Sequence, residues 1–247
     1  MLTAAERERY DRQIMIQGFG EEGQERLKKA RALIAGAGGL GSPAAIYLTA
    51  AGIGSIRIVD HDTVELSNLN RQILHWHEDR GKRKVDSAKE KLMRLNPDVK
   101  IEAIGDTLTE ANIDHLVSDC NLIVDAMDNL PTRYLLNKAA IEKNIPFFHG
   151  AVYGFEGRAM TIVPGKSACL RCVYRGVIPE EKFPVIGVTP AVIACIQATE
   201  AVKYLVGIGE LLINKLLVYE GLSMQFTELG VKRDPHCEHC GQATRKE

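Results

Sequence analysis

The residues able to do chemistry fall into three short strings and two cysteine pairs. Ser67-Asn68-Leu69-Asn70-Arg71-Gln72 offers a hydroxyl, side-chain amides and a cation. Lys84 closes the basic string Gly81-Lys-Arg-Lys84, and Asp128 stands in Asp125-Ala-Met-Asp128-Asn129. Amides and cations suit the phosphates of a nucleoside triphosphate and the charge that moves when it is cleaved. A carboxylate opposite a triphosphate suits Mg²⁺. A nicotinamide or flavin would need a docking surface, which this polar loop does not supply. Cys169-x-x-Cys172 and Cys237-x-x-Cys240 have the spacing of a tetrahedral, structural Zn²⁺ site. With all four positions filled by thiolates, the metal would staple the tail to the body and take no part in catalysis.

The stretch from Arg31 to Gln72 must position the polar loop. An apolar run (RALIAG) leads into the turn Gly36-Ala-Gly38-Gly39-Leu-Gly41, then an apolar helical pattern, then SIRIVD ending on Asp60. This is the order strand, glycine turn, helix, strand and acidic residue of a nucleotide site. At Gly36, Gly38 and Gly39 a phosphate can approach the backbone. Gly41 lets the helix sit close on the strand, and Asp60 is placed to accept hydrogen bonds from a ribose. Further on, Gly81–Leu95 has helical periodicity, with Val85, Ala88, Leu92 and Leu95 on one face. Asn121–Asp125 reads as a strand buried on both faces, so Asp128 lies beyond its C-terminal end, where open α/β sheets place ligands. Asp128 or Asn129 could equally cap the helix that follows. Pro146–Val152 and Gly157–Val163 read as antiparallel strands. Val173–Pro190 reads as an aperiodic loop over the pocket, Ala191–Val206 as an apolar helix with Cys195 in the core, and residues 214–219 and 223–229 as a closing hairpin. Thr3 and Glu6 form a capping-box signal opening two N-terminal helices. His75, Trp76 and His77 are assigned to packing and loop surface.

The chain has 247 residues, 45% of them hydrophobic, and a formal net charge of −1. That supports a sizeable core and gives no global argument for nucleic acid or membrane partners. No run reaches the length of a membrane-spanning helix, and MLTAAERERYDRQIM lacks the apolar core of a signal peptide, so a cytoplasmic protein is expected.

GAGGLG, IVDHDTVELSNLNRQ, GKRK and DAMDN together closely resemble the MoeB/ThiF/HesA family, whose members resemble the adenylation half of ubiquitin-activating enzymes. The resemblance runs from about Arg7 to Gly241. It implies a Rossmann-like α/β fold, its mostly parallel sheet continued by antiparallel strands, with helices on both faces and a four-cysteine zinc staple. The expected organisation is one domain over residues 1–247. Residues 1–165 would bind nucleotide; residues 166–247 would hold the crossover loop, a helix and the closing strands. The resemblance further implies Mg·ATP as cosubstrate and a small ubiquitin-like sulfur-carrier protein ending in Gly-Gly as partner. Lys84 and Arg71 would meet the phosphates, Asp128 would hold Mg²⁺, and Asn129 would lie near the nucleotide. Asn68 and Asn70 would orient the α-phosphate region, with Ser67, Leu69 and Gln72 completing the loop. Arg12 would reach the triphosphate of a neighbouring subunit, which requires a homodimer. No cysteine lies between Cys172 and Cys195, where thioester- or persulfide-forming relatives carry a nucleophile. The expected chemistry is therefore that of the molybdopterin-type activators, with a separate sulfur donor such as a cysteine desulfurase or a rhodanese. Molybdenum cofactor, thiamine, thiolated tRNA and cysteine synthesis all remain possible destinations. Adenylation of another carboxylate, or a non-catalytic nucleotide-binding zinc module, are the competing readings.

Overall fold

The computed structural model describes residues 1–174 and 183–241. Among the described residues, eight strands form one sheet: β1 (Arg31–Ala35), β2 (Ser55–Val59), β3 (Lys100–Ile104), β4 (Leu122–Asp125), β5 (Phe147–Tyr153), β6 (Glu156–Ile162), β7 (Lys215–Glu220) and β8 (Gln225–Gly230). Their spatial order is β3-β2-β1-β4-β5-β6-β7-β8. Strands β1 to β5 pair in parallel, and β6 to β8 continue the sheet antiparallel, as the alternation around Gly154 suggests.

Chain order reverses at β1. The chain runs outward through β2 and β3, then returns to place β4 on the other side. Ala35 is consequently flanked by Val59 and Asp125, and the helices that follow β1 and β4 diverge from there. A crevice opens at such a switch point, beyond the carboxyl ends of the strands.

Side chains alternate between two cores, as a strand period of two demands. Ala32, Ile34, Ile56, Ile58, Val124 and Phe148 face one layer, formed with helices α4 (Gly41–Ala51), α5 (Lys84–Leu95) and α9 (Val188–Val206). Leu33, Ala35, Val59, Ile123 and Phe147 face the other, formed with α6 (Ile113–Val117), α7 (Leu130–Glu142) and α8 (Leu170–Val173). The four paired cysteines belong to this second layer.

The N-terminal segment makes three helices where the sequence suggests two: α1 (Ala4–Arg9), α2 (Asp11–Ile14) and α3 (Gly20–Lys29). The extra break falls at Tyr10, which leaves the helical line to bury its ring and accept a hydrogen bond from Asn96 Nδ2 at 2.8 Å. The capping box at Thr3 is complete: Glu6 N donates to Thr3 Oγ1 and Thr3 N to the Glu6 carboxylate. At the other end of the chain, α9 begins at Val188, three residues earlier than expected. Pro190 had read as loop punctuation, but a proline costs little in a first helical turn, where its missing N–H would have no partner.

Gly41 fixes how closely α4 meets β1: a Cβ there would lie 1.9 Å from the Gly36 carbonyl oxygen. Gly41→Ala should therefore destabilise the chain by about 3 kcal/mol, the cost of overpacking against backbone. A denaturant-unfolding midpoint equal to wild type would contradict this packing.

Candidate active site

A cleft of about 400 Å³ opens at the switch point. Gly36, Gly38 and Gly39 form its floor, Val59 and Asp60 extend from β2, and Ala126–Asn129 extend from β4. Arg71 and Gln72 from the polar loop and Lys84 from the first turn of α5 complete one wall. Asp128 and Thr132 stand on the β4 side.

The glycine loop is held at Ala37 through both its N–H and its carbonyl. Asp60 Oδ2 accepts from Ala37 N at 2.8 Å, while its Oδ1 accepts from Asp62 N at 2.9 Å. On the far side, His75 Nε2 lies 2.9 Å from the Ala37 carbonyl oxygen, and Nδ1 lies 2.9 Å from Ser87 Oγ. A carbonyl can only accept, so Nε2 carries the proton and Nδ1 accepts from the Ser87 hydroxyl. Lys91 donates to Ser87 Oγ at 2.9 Å and pairs with Asp79, closing the network in the interior. Burial, reinforced by the charges of Lys84 and Lys91, holds the His75 imidazole below its ordinary value.

The cations sit where an anion would meet them. Lys84 is buried, with Nζ 2.7 Å from Asp62 Oδ2, a contact with an exposed partner. Arg71 Nη1 donates to Ser67 O at 2.8 Å and to Asn70 Oδ1 at 3.0 Å. Gln72 is buried, and its Oε1 has no hydrogen-bond partner among the described residues. Since a buried unpaired amide oxygen is costly, a donor from a bound molecule would stabilise it. Asp128 is exposed into the cleft, where its Oδ1 accepts from Asn129 Nδ2 at 3.4 Å. Asn129 is the N-cap of α7, accepting from Thr132 N at 2.9 Å, so the capping role falls to it and Asp128 stays available. An oxygen ligand facing open space fits Mg²⁺, a hard cation that keeps several waters.

Other sequence candidates lie off the cleft wall. Gly41 packs beneath it. Asn68 is buried and its Oδ1 accepts from Glu65 N, which shapes the loop. Ser67, Leu69 and Asn70 also lie outside the lining, and Arg12 is exposed on α2, away from this chain's own cleft. Conversely, Asp106, Thr107 and Leu108, which follow β3, line the cleft without having been singled out. Their place beyond a parallel strand's C-terminal end was the available signal. Phe183, Val185 and Pro190 close the cleft from the end of the segment read as a crossover loop; its residues 175–182 lie outside the described residues.

The four cysteines converge. Sγ separations are 3.6 Å for Cys169–Cys237, 3.5 Å for Cys172–Cys240 and 4.0 Å for Cys169–Cys172. Thiolates at tetrahedral corners about 2.3 Å from zinc would lie about 3.8 Å apart, so the cluster fits that ion. Burial pushes the Cys240 thiol up to about 11 and that of Cys169 up as well. A cation at the centre of the cluster would stabilise the thiolate forms, which suits a closed structural site. Cys195 is half-buried on α9 where the core had been expected, and burial raises its thiol; Cys120 is buried beside Arg57.

With this geometry established, comparison with known proteins places the chain. The profile of the ThiF family matches residues 10–239, and the chain belongs to that family. It is an enzyme of the adenylyltransferase class. Similar proteins include the "SAMP-activating enzyme E1" of Haloferax volcanii, 42% identical over 247 residues, covering 98% of this chain and 91% of that protein. Another is the "Sulfur carrier protein adenylyltransferase" of Thermus thermophilus, 42% identical over 257 residues, covering 99% of this chain and 95% of that one. Among solved structures, PaaA is similar with a TM-score of 0.81 at 28% identity, over 94% of this chain and 75% of that one. Escherichia coli MccB with MccA-N7isoASN shares the fold, with a TM-score of 0.86 at 24% identity over 95% and 74%. Among the described residues, no helix is long and apolar enough to cross a membrane.

Burial also holds the His149 imidazole below its ordinary value. Unfolded, His75 and His149 would each take up a proton near pH 6.5 that the folded chain refuses. Their contribution is complete above that pH and is lost as pH falls below it, by up to about 1.4 kcal/mol per histidine per pH unit. Denaturant unfolding between pH 7 and 5.5 should show this decline, and His75→Gln should flatten it. A decline of unchanged slope in the variant would contradict the assignment for His75.

Proposed function

We propose that this chain is an ATP-dependent enzyme that activates the C-terminal glycine carboxylate of a small ubiquitin-like sulfur carrier. The carboxylate oxygen attacks the α-phosphorus of ATP, the bond from that phosphorus to the bridging oxygen breaks, and pyrophosphate leaves. An acyl-adenylate remains. No general base is required, because a carboxylate is already ionised and nucleophilic at neutral pH. Acceleration comes from in-line placement and from charge held against the phosphates.

The observation carrying this reading is the polarity of the cleft. Arg71 and Lys84 stand on one wall and Asp128 on the other, over a glycine floor. In the proposed assignment Gly36, Gly38 and Gly39 admit the phosphates, Asp60 meets the ribose, Arg71 and Lys84 contact the triphosphate, and Gln72 turns its amide N–H, not its unpaired oxygen, toward it. Asp128 would hold Mg²⁺, which would neutralise phosphate charge. Arg12 would act across a homodimer on the partner's triphosphate. Asn68 supports the loop from behind, and Asn70 orients Arg71 through its amide oxygen. Zn²⁺ would occupy the Cys169, Cys172, Cys237 and Cys240 cluster as a staple. The relative named "Sulfur carrier protein adenylyltransferase" supports a carrier as substrate. A separate donor, a cysteine desulfurase or a rhodanese, would then supply sulfur to the activated carrier. The product would feed molybdenum-cofactor, thiamine or thiolated-tRNA synthesis in the cytoplasm.

Incubating the chain with labelled pyrophosphate, ATP and a carrier ending in Gly-Gly should yield labelled ATP. Asp128→Ala and Arg71→Ala should each lower that exchange at least about 100-fold while leaving circular dichroism unchanged. Exchange by wild type that ignores the carrier, or variants as active as wild type, would defeat the assignment.

A further inference from the structure

Behind the Asp128 turn runs a buried hydrogen-bonded line that the reaction above does not use. Asp125 and His149 are both 0% exposed. His149 Nδ1 lies 2.7 Å from Asp125 Oδ2, and since the carboxylate oxygen accepts, Nδ1 carries the proton. Burial keeps the ring neutral, leaving Nε2 to accept from the Tyr174 hydroxyl at 3.2 Å. The rings of His149 and Tyr174 meet edge to face, 5.5 Å between centroids.

Both ends of this line are anchored. Asp125 Oδ1 accepts from Met127 N at 3.2 Å, inside the turn whose next residue is Asp128. Arg133 Nη2 donates to Met127 O at 2.5 Å and to Gly150 O at 2.9 Å, with Nε 3.5 Å from Asp125 Oδ2. Gln197 Nε2 donates to Asp125 O at 2.7 Å. At the other end, the Tyr174 carbonyl accepts from Tyr134 Oη at 2.8 Å, two residues past Cys172 of the staple. A buried polar line of this kind adds little stability over packed apolar side chains, but it specifies one geometry.

We propose that Tyr174, His149 and Asp125 are positioning residues that hold the Asp125–Asn129 turn in the one conformation in which Asp128 meets the metal on the triphosphate. The line ties the root of the segment after the cysteine staple to the catalytic edge of the sheet. Carboxylate and imidazole partners behind a metal ligand act in this way by fixing its orientation. This inference rests on the reading of Asp128 as the Mg²⁺ ligand.

The test is the Mg²⁺ dependence of ATP binding to the full chain, followed by calorimetry. His149→Ala should raise the Mg²⁺ concentration needed for half-maximal enhancement about tenfold, and Tyr174→Phe about threefold. ATP affinity without Mg²⁺ should stay unchanged in both. The double variant should be no worse than His149→Ala alone, because the phenol has already lost its acceptor. Amide exchange across residues 122–130 should quicken in parallel. Wild-type Mg²⁺ dependence in both variants, or equal losses with and without Mg²⁺, would overturn the proposal. If His149→Ala does not fold, Tyr174→Phe carries the test, since it removes a single oxygen. A wild-type chain whose ATP affinity ignores Mg²⁺, or an Asp128→Ala variant that keeps the dependence, would instead overturn the reading of Asp128.

Discussion

The backbone of Ala37 is the point on which the site depends. Its N–H is taken by Asp60 from the end of β2, and its carbonyl is held by His75 from beneath. With both polar groups committed, the glycine loop has one orientation, and Gly41 brings α4 down onto it to fix the depth of the cleft. A floor held this way needs little reorganisation to receive a ligand, which is where preorganised sites gain their rate.

Charge in the cleft is arranged on the same economy. Lys84 reaches the wall from the first turn of α5, buried along its stem and held by Asp62 at the head. Arg71 is aimed by the carbonyl of Ser67 and the amide of Asn70. Each cation is oriented by a neighbour that leaves it hydrogen-bonding capacity to spare, since an ammonium has three donors and a guanidinium five. On the opposite wall the cap of α7 is assigned to Asn129, which frees Asp128. The staple of cysteines ties α8 to the end of the described chain in the layer that also holds α7.

What could be read from residues alone was whatever a recognisable spacing pattern marks: strand alternation, a glycine turn followed by an acidic residue about 20 positions on, or paired cysteines. The Gly36–Asp60 unit, the strand alternation behind the mixed sheet and the cysteine spacing all meet that condition. His75 does not: its partners Ala37 and Ser87 lie 38 and 12 residues away, and nothing local separates a histidine beneath a glycine turn from one in a core. The Asp125–His149 pair spans 24 residues and was invisible for the same reason. Asn68 and Asn70 are marked by the motif, and the hydrogen bonds of their amide oxygens are made within the loop itself. The prolines of the crossover segment hid the start of α9, because a proline marks both a loop and a first helical turn.

All of this depends on a carboxylate oxygen becoming bonded to the α-phosphorus. The most direct measurement uses a carrier whose C-terminal carboxylate bears heavy oxygen. After activation with ATP and transfer of the acyl group to a sulfur nucleophile, AMP is analysed by mass spectrometry. The account predicts one heavy oxygen in AMP for each carrier consumed. Heavy oxygen in inorganic phosphate or pyrophosphate, or AMP without it, would contradict the account.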